Sequence, residues 1–239
     1  MTSQNFLITR PIENSNDLVS FLKTNGHKVF VEPLFTIKNI FTEKLSQPFA
    51  VIITSANACD NFLSMNYSKS LKIYSIGKNS SEKLANAGYF NIFFAKEMSA
   101  KNLLDLIIID TKNIDFDFSN NEILYFCGDN LSLDIAKELI NNGIKSKKII
   151  SYNTIYHNEF STELLQKTKN ISFDLIFIYS INSAKNFAKL SKHHNLVEYF
   201  AQSKIIGFSE KIIIELEKNN FNNCCHFESI PILKKFYNL

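Results

Sequence analysis

The sequence predicts an α/β protein built from parallel sheets, and three observations predict it. Short, wholly apolar, β-branched runs alternate with helical patterns along the whole chain. Many of these runs end in a glycine or a small polar turn. The chain also repeats itself: AVIITSANACDNF at Ala50–Phe62 returns as DLIFIYSINSAKNF at Asp174–Phe187, aligning Ser55 with Ser180, Asn57 with Asn182, Asn61 with Asn186 and Phe62 with Phe187. Each copy reads as a strand buried on both faces that delivers a polar turn at its carboxyl end. In open α/β sheets that end is where ligands bind. Either turn alone is also an ordinary capped helix, with Ser and Asn as N-caps; the matched pair points to a paired binding surface.

In chain order, Phe6–Thr9 is a first strand followed by Arg10-Pro11, and a helix over about Asn14–Asn25 closes at Gly26. Val29–Val31 is a second strand, broken by Pro33. A helix is predicted within Asn39–Ser46, ahead of Pro48, and the first signature strand and helix follow. Leu71–Ile76 is a strand ending at Gly77, KNSSEKLANAG a helix ending at Gly88, and Asn91–Ala95 a short strand. Ser99 caps a helix through about Ile109, and DTKNIDFDFSN reads as a polar loop.

The pattern then restarts. Glu122–Phe126 is a strand ending in Cys127-Gly128-Asp129-Asn130, a helix runs to Gly143, and Lys148–Tyr156 is a strand. Glu163–Lys169 is a short helix before the second signature strand and its helix through Leu190. Lys204–Ile206 is a strand ending at Gly207, Glu210–Lys218 a helix, and a last strand lies near Cys224–Phe227. Leu22 and Gly26 match Leu139 and Gly143, and Ser75-Ile76-Gly77 matches Ile205-Ile206-Gly207. The chain therefore reads A–B–A′–B′ in βαβ pieces.

The totals bound the class. A chain of 239 residues, 45% apolar and 21% charged, makes two domains or one large α/β domain of a soluble protein. A net charge of +3, with only KSKK at Lys145–Lys148 as a basic cluster, gives no nucleic-acid signature. The four cysteines lack zinc or CxxC spacing and read as reduced cytoplasmic thiols. No signal peptide and no apolar run long enough to span a bilayer are visible. Six scattered glycines form neither GxGxxG nor a phosphate loop, which removes dinucleotide and P-loop readings. None of the five histidines has a partner at ligand spacing; His193-His194, on a polar helix end, reads as solvated, so no metal site is expected.

One residue stands out by count. Arg10 is the single arginine among 26 basic residues. A guanidinium fork grips a carboxylate with two parallel hydrogen bonds, a geometry lysine cannot reproduce. Arg10 also sits at a strand's carboxyl end, so a ligand or interdomain role competes with a plain structural ion pair. Five polar turns offer backbone N–H groups at helix starts, which suits anions: Ser55-Ala56-Asn57, the turn at Ser80, Gly128-Asp129-Asn130, Ser180-Ile181-Asn182 and the turn at Ser209. Converging on one cleft they would take a ligand with many carboxylates; singly, each is a capped helix.

LITRP near the N-terminus, Gly26 before a strand ending at Pro33-Leu34, IITSANA, SIG before a helix, the strand-Gly of LYFCGDN and the Tyr of NTIYHN together resemble the uroporphyrinogen-III synthase family. The likeness runs through nearly the whole chain in order, on short, loose motifs. It implies a cofactor-free cytoplasmic lyase, acting as a monomer on hydroxymethylbilane, a linear tetrapyrrole with eight carboxylates. It closes the ring while inverting the last pyrrole. The resemblance also implies two α/β lobes: residues 1–35 with 160–239, and residues 38–154, joined by linkers at about 33–38 and 154–160. In this reading Val29–Ile37 pairs antiparallel with Ile150–Asn158, and lobe reorientation is expected. Periodicity alone allows two consecutive halves equally well.

Tyr156 matches the family's tyrosine near the cleft, where a phenol can give a proton to a departing hydroxyl; on its residues alone it could equally be a half-buried packer. Positioning of the terminal ring would do the rest. The chain departs from the family pattern at Tyr179, Ile181, Glu210 and Cys127. Glu210 would repel an octacarboxylate, which puts its turn in doubt. A non-catalytic two-lobed binding protein for an anionic small molecule is the competing reading, and a Rossmann-type methyltransferase would want a glycine-rich first turn that is absent.

Overall fold

The structure, a computed structural model, describes residues 3–95, 99–112 and 122–231. It divides into two compact units: a terminal unit, up to Thr36 and from Ile155 onward, and a middle unit, Ile37–Thr154.

The terminal unit carries β1 (Asn5–Ile8), α1 (Asn16–Thr24) and β2 (Lys28–Val31) from the first part of the chain. The middle unit follows with β3 (Phe35–Asn39), which the chain enters on leaving the terminal unit, then β4 (Ala50–Ile53), α2 (Cys59–Ser64), β5 (Lys72–Ser75), α3 (Lys78–Asn86), β6 (Ile92–Phe94), α4 (Ala100–Lys112), β7 (Ile123–Gly128), α5 (Ile135–Asn141) and β8 (Ser146–Tyr156). Back in the terminal unit come α6 (Thr162–Lys167), β9 (Leu175–Ile178), α7 (Ile181–His193), α8 (Val197–Ala201), β10 (Lys204–Gly207), α9 (Glu210–Glu217) and β11 (Cys224–His226).

The terminal sheet has the order β11-β10-β9-β1-β2, all parallel. The middle sheet has the order β3-β8-β7-β4-β5-β6, parallel from β8 to β6. The repeat thus resolves into crossed pieces. The first βαβ unit, β1-α1-β2, joins β9 to β11, while its copy β7-α5-β8 joins β4 to β6. In each sheet the strand order reverses where the two pieces meet, at β1/β9 and at β7/β4.

Both sheets are covered on both faces, which is why their strands are apolar without alternation. In β9, Ile176 and Ile178 face the side holding α6, α7 and α9, and Leu175 and Phe177 face α1. In β4, Val51 and Ile53 face α2 and α3, and Ala50 and Ile52 face α4 and α5. All of these side chains are buried, and such burial contributes roughly 1.5–3 kcal/mol per large aliphatic side chain.

Three expectations are corrected. No helix forms within Asn39–Ser46. The Ile40 N–H instead donates to Ser151 O (2.8 Å), and the Thr42 N–H to Asn61 Oδ1 (2.9 Å), so tertiary partners take the backbone groups a helix would need. Val29–Val31 pairs in parallel with β1, not with the second crossing strand; only the segment from Leu34 onward meets β8. There Ile40 contacts Ser151 while His157 contacts Leu34, an antiparallel arrangement. Helix α8 was not foreseen. The polar loop expected over DTKNIDFDFSN begins instead as the end of α4 through Lys112, and from 113 on it lies outside the described residues.

The aligned asparagines Asn61 and Asn186 explain the crossing. Asn61 is 1% exposed, and its Nδ2 donates to Thr42 Oγ1 and Ser151 Oγ, both at 3.1 Å. Asn186 Nδ2 donates to Leu34 O and His157 O, both at 3.0 Å. Each buried amide therefore pins both crossing segments to its own unit.

Candidate functional site

In the middle unit a cavity of about 450 Å³ lies at the carboxyl ends of β4, β5 and β7, beside Tyr152 of β8, at the reversal of strand order. Its lining is rich in hydroxyls, among them Thr54, Ser55, Tyr125 and Tyr152, and among the described residues no lining side chain carries a charge. Ser99 and Ala100 bring the first turn of α4 to its wall, with Ser99 Oγ accepting from the Asn102 N–H (3.1 Å). The positive end of a 13-residue helix therefore borders the space.

Ser55 caps its turn by accepting from the Asn57 N–H (3.3 Å), and its hydroxyl also bonds the Tyr152 phenol. Burial raises the Tyr152 pKa and the Ser55 bond offsets part of that rise, so the phenol is held protonated. Tyr152 reaches this position through a bulge. Cys127 faces Ile150, but Gly128 faces Tyr152, leaving Ser151 as the extra residue of β8. Gly128 is required by the result: a Cβ there would meet the Tyr152 ring at 2.5 Å. Tyr125 Oη and Thr54 Oγ1 share a hydrogen bond of 3.0 Å beside it.

Of the residues singled out in the sequence, Ser55, Gly128 and Asn130 line this cavity. Ala56 and Asn57 form the 3-10 turn that follows Ser55. Asp129 is exposed, and its Oδ1 accepts from the Thr154 N–H (3.1 Å). Ser80 is 2% exposed, with its hydroxyl bonded to Ile76 O (2.7 Å) inside the first turn of α3. That hydroxyl is used within the protein, which removes Ser80 as a side-chain ligand.

The terminal unit holds the rest. Ser180 caps α7, accepting from the Ser183 N–H (3.0 Å), with Ile181 and Asn182 in its first turn. Ser209 precedes α9 without a side-chain cap bond, and Glu210 is exposed beside it. Arg10 follows β1. Its Nε donates to Ser15 Oγ (2.9 Å), and its guanidinium lies 4.0 Å over the Tyr179 ring, which stacks on Phe208 at 5.0 Å. Among the described residues no carboxylate pairs with Arg10, and burial lowers its pKa. Tyr156 lies on the terminal-unit part of β8, its ring 5.8 Å from Phe35, and is not among the cavity-lining residues.

The sequence reading missed Tyr152, Thr54, Tyr125 and the start of α4. Thr54 and Tyr125 adjoin turns already singled out, and Ser99 carried a visible cap signal. Tyr152 carried none, because strand alternation does not reveal a bulge.

Two doubly covered parallel sheets, each with a polar turn at its order reversal, define a ligand-binding α/β protein of crossed units. The family model for uroporphyrinogen-III synthase HemD matches residues 16–227. The chain belongs to the uroporphyrinogen-III synthase family, the cyclising hydro-lyases of haem biosynthesis. It is similar in fold to uroporphyrinogen-III synthetase from Helicobacter pylori, at 13% identity and TM-score 0.61, covering 98% of both chains. It is likewise similar to a selenomethionine-labelled mutant of uroporphyrinogen III synthase from the extremely thermophilic bacterium Thermus thermophilus, at 12% identity and TM-score 0.59, covering 99% of this chain and 98% of that one. No curated protein sequence matches it significantly. No helix among the described residues is long and apolar enough to cross a membrane.

Proposed function

We propose that this chain cyclises hydroxymethylbilane to uroporphyrinogen III, and that the middle-unit cavity holds the part of the substrate where chemistry occurs. The observation that carries this assignment is the cavity itself. Its volume of about 450 Å³ suits part of a linear tetrapyrrole, its described walls offer neutral hydrogen-bonding groups, and a helix N-terminus borders it. Arg10 gives the terminal unit a cation without an acidic partner among the described residues, fit for a substrate carboxylate.

The phenol of Tyr152 is the group we assign to assist departure of the hydroxyl, in preference to Tyr156, because it lines the cavity. The carbon–oxygen bond breaks and the hydroxyl leaves as water with the phenol's proton. The freed methylene carbon bonds the substituted carbon of the terminal pyrrole, and that carbon's bond to the preceding bridge breaks. The bridge carbon rebonds at the ring's unsubstituted α-carbon, and the proton released there restores the phenol. Which isomer results depends on holding that ring, since the open chain can close without inversion.

The test is direct. The protein is mixed with freshly generated hydroxymethylbilane and the products are separated by isomer. Predominantly type III product is expected; the type I isomer at the protein-free rate would overturn the assignment.

A further inference from the structure

Away from the order reversals, the terminal unit brings together Glu159 and the adjacent pair His193-His194, at the end of α7. Glu159 Oε1 lies 3.3 Å from His193 Nε2, and Oε2 lies 2.9 Å from His194 Nε2. All three ligand atoms fall within 4.8 Å of one another. In the chain, the partner the histidines lacked comes from the distant segment that follows β8.

The carboxylate lies within hydrogen-bond reach of both imidazoles, and the Phe160 N–H lies a longer 3.4 Å from His194 Nε2. A metal ion would take the single lone pair of each Nε2 in place of those contacts. Nitrogen and oxygen ligands on tetrahedral zinc lie about 2.0–2.2 Å from the metal and hence roughly 3.3–3.6 Å from each other; the separations here are 2.9 and 3.3 Å, and a small rotation of the exposed carboxylate brings both into that range. His194 is anchored, 16% exposed with its ring 5.5 Å from Phe160. His193 is 59% exposed and can rotate to close the third side. The nearby cation Lys189 reaches Asn158 Oδ1 at 3.4 Å, not Glu159.

The geometry points to a site for a divalent first-row transition ion, zinc by ligand type, held by Glu159, His193 and His194 with a fourth position for water. Its effect is structural. It ties the end of α7 to the segment around Ser161, which Glu32 already holds through hydrogen bonds from the Ser161 N–H (2.7 Å) and Oγ (2.6 Å). A bound ion stabilises the folded state by mass action. At a hundredfold excess over the dissociation constant, the melting temperature should rise by roughly 5–10 °C.

The experiment is a zinc chloride titration of the chelator-stripped full chain by calorimetry, followed by cobalt substitution. One equivalent is expected to bind. Glu159→Gln and His193→Ala, both at exposed side chains, should each weaken binding at least tenfold while leaving the zinc-free melting temperature unchanged. Cys224→Ser with Cys225→Ser should leave it intact, and the cobalt spectrum should lack a thiolate charge-transfer band. Absence of saturable zinc binding would overturn the site. So would a change of less than threefold in both triad variants, or a cobalt thiolate band that disappears with the cysteines.

Discussion

The two order reversals occupy equivalent places and have opposite contents. The repeat sets Phe177 against Ile52, each three residues before its serine. The ladders pair Phe177 with Ile8 and Ile52 with Tyr125. Ile8 and Tyr125 are therefore equivalent, and two residues further on so are Arg10 and Cys127; Tyr179 likewise stands where the middle unit has Thr54. In the terminal unit a half-buried cation lies on an aromatic stack that takes up the equivalent position. In the middle unit a buried neutral thiol, its pKa pushed up to about 12 by burial, and a small threonine leave the space open. One scaffold, used twice, supplies charge in one place and volume with hydroxyls in the other.

The sharpest way to break this comparison is to remove the hydroxyl that distinguishes the open side. Tyr152→Phe loses one polar atom and keeps the ring, so the fold should persist while kcat falls by roughly 10²–10⁴-fold. The residual product should remain mainly type III, because positioning sets the isomer. Tyr156→Phe should change kcat much less. If the two variants trade places in single-turnover measurements, the proton donor is Tyr156, as the family resemblance alone implied.

Gly128→Ala tests the same site through packing. The added carbon at 2.5 Å from the ring forces Tyr152 to move. A displacement of about 1 Å in a catalytic group costs on the order of 10²-fold in rate, and overpacking costs about 1–3 kcal/mol, a fall of several degrees in Tm. Combining it with Tyr152→Ala should restore the melting temperature. A normal Tm in Gly128→Ala alone would show that the bulge has room to spare.

Much of this was legible in the sequence, for reasons that differ by residue. The alternation of buried runs and capped helices locates nearly every element, because strands covered on both faces must be apolar throughout. Arg10 was found by counting, since nothing else in a lysine-only chain offers a fork. Asn61 and Asn186 were aligned as a pair, but their task depends on which segments cross between units, a long-range fact no periodicity contains. Tyr152 was hidden by a one-residue bulge, and Ser80 could be recognised as internal only once its hydroxyl's partners were placed. The absent helix after Asn39 is propensity overridden by tertiary hydrogen bonds.

On the filled side, Arg10→Lys keeps the charge and loses the fork. Hydrogen bonds to charged groups contribute about 1.5–3 kcal/mol, and each 1.4 kcal/mol is tenfold in affinity. KM should therefore rise about tenfold with kcat within a factor of two, the pattern of lost uniform binding. Steady-state kinetics beside a thermal melt separates this from damage to the turn; an unchanged KM would reduce Arg10 to a packing partner of Tyr179.

The smallest effect is expected at Tyr179. Its hydroxyl is buried without a hydrogen-bond partner among the described residues, while its ring carries Arg10 and stacks on Phe208. Tyr179→Phe keeps both ring contacts and removes an unsatisfied polar group, so the neutral-pH melting temperature should hold or rise slightly. Alkaline pH makes the change visible. Burial raises the Tyr179 pKa from 10.0 to about 12, with Arg10 opposing the shift. A phenol with a raised pKa favours the folded state below about pH 10, where neither state has ionised. That contribution is lost as pH climbs toward about 12, because the unfolded chain releases its proton first. Other buried tyrosines impose the same slope on both proteins, so the measurement is the difference between them. Melts of wild type and Tyr179→Phe across pH 9–11.5 should diverge, the variant falling less steeply. Parallel curves would mean that the hydroxyl is solvated in the folded state, and a loss of turnover at neutral pH would make it a ligand contact and place the two order reversals on a more equal footing.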